Sequence, residues 1–99
     1  MPEKVSVKEK QNLKLKEPKG FRVVMFNDDF TPMDFVVNIL MNIFQKRYEE
    51  AVMLMMTVHK GKKAVVGNYS YDIARSKVDK AMTLARNEGY PFRIVIEET

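Results

Sequence analysis

The apolar residues of this chain change period along its length, and the changes constrain what it can fold into. Phe21–Phe26 (FRVVMF), Ala64–Tyr69 and Phe92–Glu97 (FRIVIE) are short, apolar and rich in β-formers. Each reads as a strand. Between them the spacing becomes helical. Val36, Ile39, Leu40, Ile43 and Phe44 recur at i, i+3, i+4, i+7 and i+8, one apolar face of a helix. A second helix is expected from near Tyr48, with Glu49 and Glu50 in its first turn and His59 and Lys60 in its last, the order the helix dipole favours. Val52, Met55 and His59 share one of its faces, with Val58 beside it. Ala74, Val78, Ala81 and Ala85 form the stripe of a third helix. The order β-α-α-β-α-β predicts an α+β two-layer sandwich, with three helices covering one face of a three-stranded sheet.

Local signals sharpen the helix ends. Thr31 is the expected N-cap of the first helix, with Pro32 at the first helical position and Asp34 completing an approximate capping box. Phe30 and Phe35 fall at hydrophobic-staple spacing. Gly61 is expected just past the second helix. Ser70 is expected to cap the third, and Gly89 and Pro91 to end it.

A chain of 99 residues supports one domain, and a hydrophobic content of 45 % argues against wholesale disorder. Residues 1–20 are read as a flexible tail and 21–99 as the core. The tail mixes charge with single apolar residues, Val5, Val7, Leu13 and Leu15. Most of the net charge of +4 lies there, on six Lys against three Glu. The core is nearly balanced, so no nucleic-acid partner is expected, and Lys60, Lys62 and Lys63 read as a solvated turn. No run of about 18 apolar residues indicates a membrane span, and MPEKVSVKEK has no apolar signal region. The absence of cysteine excludes disulfides and thiolate-bound zinc, and suits a reducing cytoplasm.

The chemically distinctive residues are Asn27, Asp28 and Asp29. Taken alone, the run reads as a turn, because Asn and Asp bond their own backbone. Asp28, Asp29 and His59 offer three metal-ligand types but no HxxxH or HxxE spacing. No Ser or Cys sits in a nucleophile motif, and carboxylates on adjacent residues diverge. Neither catalysis nor a cofactor is expected. Taken together, Asn27, Asp28, Asp29 and a neutral His59 offer hydrogen-bond acceptors beside Thr31, Met33, Val36, Met55 and Val58. Acceptors at the mouth of an apolar pocket suit a ligand with a cationic, donor-rich end and an apolar end. A free peptide α-ammonium beside a large apolar side chain has that form.

NDDFTPMDFV (27–36) closely resembles the signature of the ClpS family, bacterial N-end-rule adaptors. The likeness extends through AVMLMMTVHKGKKAVVG (51–67), the Ile73-Ala74-x-x-Lys77-Val78 helix and ARNEGYPF (85–92). It covers essentially all of 21–99. The resemblance implies a non-enzymatic adaptor, expected as a monomer, with a fold similar to the ribosomal stalk protein's C-terminal domain. Such adaptors bind proteins with N-terminal Leu, Phe, Tyr or Trp and deliver them to an AAA+ unfoldase, ClpA or a relative, for degradation by ClpP. It also implies residue roles. Asn27, Asp29 and His59 would contact the α-amino group, with Asp28 nearby. Thr31, Met33, Val36, Met55, Val58 and Phe92 would line the side-chain pocket, Met33 as a gate against β-branched residues. Asp72 and Lys77 would lie on the face that docks the unfoldase's N-domain.

This chain departs from the family pattern at three points. Phe92 stands where many relatives have Leu. Gly61 comes one residue earlier than in the commoner HxxG arrangement. Asp72 replaces the usual Glu. Met33, Met53, Met55 and Met56, at helical spacing, also fit simple core filling. Two alternatives to an N-terminus-binding adaptor stand beside it. One is a stalk-like partner-docking domain that works through helix surfaces. The other is a metal-dependent hydrolase built on Asp28, Asp29 and His59.

Overall fold

A computed structural model describes residues 20–99; the tail reading of 1–20 lies outside them except for Gly20, whose carbonyl accepts from the Thr99 N–H and hydroxyl. The elements follow in the expected order: β1 (Phe21–Phe26), α1 (Met33–Asn42), α2 (Tyr48–Gly61), β2 (Lys63–Tyr69), α3 (Tyr71–Glu88) and β3 (Arg93–Glu98). β1 is the central strand of an antiparallel sheet ordered β2-β1-β3. Its last residue, Phe26, pairs with Lys63 on one side and Arg93 on the other. Both edge strands therefore begin where β1 ends, and the chain segments around those points are brought together.

Strand and helix periods meet in one core. Val23 and Met25 of β1 join Ala64 and Val66 of β2 and Ile94 of β3 against the helices. The pairing slips by one residue between Val23 and Val24, which face Gly67 and Val65, so Val66 is the extra residue of a bulge. The helix stripes supply Val36, Ile39 and Leu40 from α1, Ala51, Met55 and Val58 from α2, and Ala74, Val78, Ala81 and Ala85 from α3. Ile43 and Phe44 extend the first stripe past the end of its helix and are also buried. The small side chains of α3 leave room for it to pack close to β1 and β3. Each fully buried Leu-sized side chain contributes roughly 1.5–3 kcal/mol, which makes Leu40, with no exposed surface, a principal stabilising residue.

Three helix-end expectations are corrected. At the start of α1, Pro32 and not Thr31 holds the N-cap position, and no side chain caps it. The first helical bond runs from the Val36 N–H to the Pro32 carbonyl, 3.3 Å. The Thr31 hydroxyl donates instead to Asp28 Oδ2, so it is taken before it could cap. Asp34 consequently sits one position earlier in the helix than a capping box needs, and its Oδ1 accepts from the Phe35 N–H at 2.9 Å. The staple does not form either: Phe30 is 77 % exposed, while Phe35 packs edge-on against Tyr90 and Phe92.

At the end of α2, Gly61 is still helical, and Lys62 takes the left-handed conformation at φ 77°. Ser70 holds the N-cap position of α3 but makes no side-chain cap bond. The end of α3 follows expectation. Gly89 is left-handed at φ 76°, its N–H bonds the Arg86 carbonyl, and the Tyr90 N–H bonds the Ala85 carbonyl. That pair of bonds is a Schellman motif.

Candidate functional site

The convergence at Phe26 builds a cavity of about 160 Å³. Asn27, Asp28, Asp29, Thr31, Met33, Val36, Met55, Val58, His59 and Phe92 all line it, together with Phe26. These include every residue that the sequence offered for an amine contact or an apolar pocket. Four pieces of chain bring them there: the loop after β1, the first turn of α1, the C-terminal half of α2, and Phe92 just before β3. The apolar periodicity explains the floor. Val36, Met55 and Val58 belong to the buried stripes of their helices, and each is less than a tenth exposed. Phe92 is 3 % exposed, its ring held edge-on by Phe35 at 6.1 Å.

The mouth is polar and open. Asn27, Asp29 and His59 are exposed, and none of their side chains is hydrogen-bonded to another described residue. Met33 stands at the rim, 46 % exposed. The polar residues are positioned by backbone bonds. The Asn27 N–H donates to the Lys62 carbonyl at 2.8 Å, and the Lys62 N–H donates to Val58 at 2.9 Å. The left-handed turn at Lys62 thus ties the start of the loop to the helix end that carries His59. At the other end of the loop, the Thr31 and Phe30 N–H groups donate to Asp28 Oδ1, 2.7 and 2.8 Å, and the Thr31 hydroxyl donates to Oδ2, 2.8 Å. Partial burial pushes the Asp28 carboxyl upward, but the bonds from Thr31 and Phe30 outweigh it and hold the group below the usual aspartate value.

The arrangement pairs acceptors at the mouth with an apolar floor. A cavity of roughly 150 Å³ accommodates a benzene molecule, so this one matches a single large side chain. No group of three or more His, Cys, Asp or Glu among the described residues is placed to hold a metal ion. No described helix is long and apolar enough to cross a membrane.

Phe26 is the lining residue that sequence reasoning missed. In the alternation of β1 it goes with Val24 and not with the inward Val23 and Met25, so its period gave no pointer to the cavity. Its position next to Asn27 was the available signal. Its ring also carries the Arg93 guanidinium, 4.4 Å from the centroid.

Asp72 and Lys77 lie elsewhere, on α3, and are not brought together. Asp72 is exposed in the first turn. Lys77 is half-buried and reaches across to the end of α1. Its ammonium donates to the Ile43 carbonyl at 2.7 Å and to Gln45 Oε1, and lies 5.9 and 5.8 Å from the Phe44 and Tyr69 ring centroids. It satisfies a helix-end carbonyl and favours the negative end of the α1 dipole.

Comparison with known proteins agrees with this architecture. The family model for the ATP-dependent Clp protease adaptor protein ClpS matches residues 16–95. The chain is 44 % identical over 97 residues to the ATP-dependent Clp protease adapter protein ClpS of Acetivibrio thermocellus, covering 98 % of both. It is 50 % identical over 82 residues to that of Treponema denticola, covering 83 % of this chain and 81 % of the relative. Among solved structures, Agrobacterium tumefaciens ClpS2 bound to L-phenylalaninamide superposes with a TM-score of 0.81 at 34 % identity, covering 84 % of this chain and all of that one. The chain therefore belongs to the ClpS family of Clp protease adaptors, which serve a protease without being catalysts themselves.

Proposed function

We propose that this adaptor binds proteins through a free N-terminal Leu, Phe, Tyr or Trp and delivers them in the cytoplasm to an AAA+ Clp unfoldase, ClpA or a relative, for degradation by ClpP. The observation that carries the reading is that one cavity has both exposed acceptors at its mouth and a buried apolar floor. The α-ammonium meets Asn27, Asp29 and His59 at the mouth. The side chain enters between Val36, Met55, Val58 and Phe92, beside Thr31, with Met33 at the rim. L-phenylalaninamide, the ligand of the A. tumefaciens relative, is a phenylalanine with a free amine and a blocked carboxyl. It has the chemistry of a protein's first residue, which supports the reading.

Magnitudes fit an adaptor that must release its cargo. Burying a Leu- or Phe-sized side chain is worth about 1.5–3 kcal/mol. Each hydrogen bond to a charged group adds about 1.5–3 kcal/mol before ordering and desolvation costs. The surplus corresponds to an affinity on the order of micromolar. On the unfoldase side, the reading assigns docking to the exposed face of α3 around Asp72, with Lys77 both contributing charge and holding α3 to the end of α1. Fluorescence anisotropy with a labelled peptide beginning with Leu, against its N-acetylated twin, tests the proposal. Binding of the free peptide alone is expected, and equal binding of the two would refute it.

A further inference from the structure

We propose that Asp28 is a positioning residue: it closes the 27–31 loop so that Asn27 and Asp29 present their side chains to the ligand's ammonium, and it does not contact that ammonium itself. The inference rests on the amine-binding reading above and separates two acids adjacent in the chain. Both oxygens of Asp28 are occupied within the loop, Oδ1 by the Phe30 and Thr31 N–H groups and Oδ2 by the Thr31 hydroxyl. Asp29 is exposed, and no described residue bonds to its carboxylate. Asp28 thus already has the donors that stabilise a carboxylate charge, which the downward displacement of its titration reflects. To turn toward an ammonium it would have to release the Thr31 N–H and hydroxyl, leaving part-buried donors unpaired.

The loop is pinned at both ends. The Asn27 N–H is fixed to Lys62, just beyond the helix turn that carries His59, and Thr31 is fixed to Asp28. Asp29 lies between the pins. Its direction is set by its neighbours' bonds, while its carboxylate stays available. The same clamp takes up the Thr31 hydroxyl next to the entrance of α1, where no side chain caps the helix.

The test compares conservative and disruptive variants at neighbouring positions, by anisotropy with a labelled peptide bearing a free N-terminal Leu. Asp28→Asn keeps an oxygen for the two N–H groups and turns its amide toward the Thr31 hydroxyl, which then accepts. It should bind within about threefold of wild type despite the lost charge, whereas Asp29→Asn should lose at least about tenfold. Asp28→Ala should lose about tenfold or more. Amide hydrogen exchange at Phe30 and Thr31 should accelerate in Asp28→Ala and stay slow in Asp28→Asn. Asp28→Asn as damaging as Asp29→Asn would overturn the inference, as would wild-type binding by Asp28→Ala. Failure of the wild type to bind the peptide would instead count against the amine-binding reading. The exchange rates would still decide the clamp, since equal rates in wild type and Asp28→Ala would refute it.

Discussion

The floor and the mouth of the cavity are built by opposite means. The floor consists of Val36, Met55, Val58 and Phe92, residues of the main core that happen to face an opening. The mouth consists of Asn27, Asp29 and His59, exposed and held in place not by their own side chains but by the Asn27 backbone bond to Lys62 and the Asp28 clamp on Phe30 and Thr31. A floor residue cannot be changed without touching stability. A mouth residue can be changed with stability nearly intact. On the proposed reading, the site separates affinity for a side chain, which is tied to the fold, from recognition of an amine, which is not.

The largest effect that would break this contrast is expected at Phe92. Phe92→Ala removes a buried ring packed on Phe35. It should cost about 3–5 kcal/mol in chemical denaturation. A loss below about 1 kcal/mol would show that the floor is not part of the core. At the mouth, Asp29→Asn should shift stability by no more than about 0.5 kcal/mol while weakening the free-Leu peptide at least about tenfold. A matching loss of stability would merge the two regions.

A smaller change sharpens the role of His59. His59→Ala removes an acceptor from the mouth and should weaken the free-Leu peptide several-fold, roughly in line with one lost hydrogen bond. His59→Gln keeps an acceptor and should recover part of that loss. Equal affinity in wild type and His59→Ala would place the amine contact elsewhere.

The smallest effect concerns the turn that joins mouth to helix. The displaced glycine has a physical reading: the left-handed position is Lys62, where the HxxG arrangement would put Gly, while Gly61 is helical with open space at its Cβ. Lys62→Gly relieves a conformation costing about 1–2 kcal/mol, offset by the entropy of the new glycine. Gly61→Ala should gain up to about 1 kcal/mol. The double variant should melt higher than wild type and bind peptide equally. A lower melting temperature would mean that the Lys62 side chain, rather than its backbone, supports the turn.

What was legible in the sequence follows from the range of the force involved. The stripes Val36–Phe44 and Ala74–Ala85 could be read because burial imposes its period locally, and with the β-rich runs they fixed the element order. The lining residues around NDD and His59 were legible partly by chemistry and partly by family likeness, since Met33 at the rim and Met55 in the floor also fit core filling. Thr31 was misread because a cap is a competition, and Asp28, three residues away, takes its hydroxyl. The Gly61 expectation failed because the Lys62 carbonyl is needed by Asn27, a partner 35 positions earlier in the chain. Lys77 was read only for the docking face, by family likeness, and the tertiary fold shows it reaching the end of α1.

The central claim is that a free α-amine is recognised at the mouth while an apolar side chain fills the floor. Competition between a labelled Leu-peptide and unlabelled copies with a free or an acetylated N-terminus tests it most directly. The free copy should displace the label at micromolar concentration, and the acetylated copy should fail at concentrations at least about a hundredfold higher, since it removes the cation and leaves the acceptors unpaired. Equal displacement by the two would contradict the account.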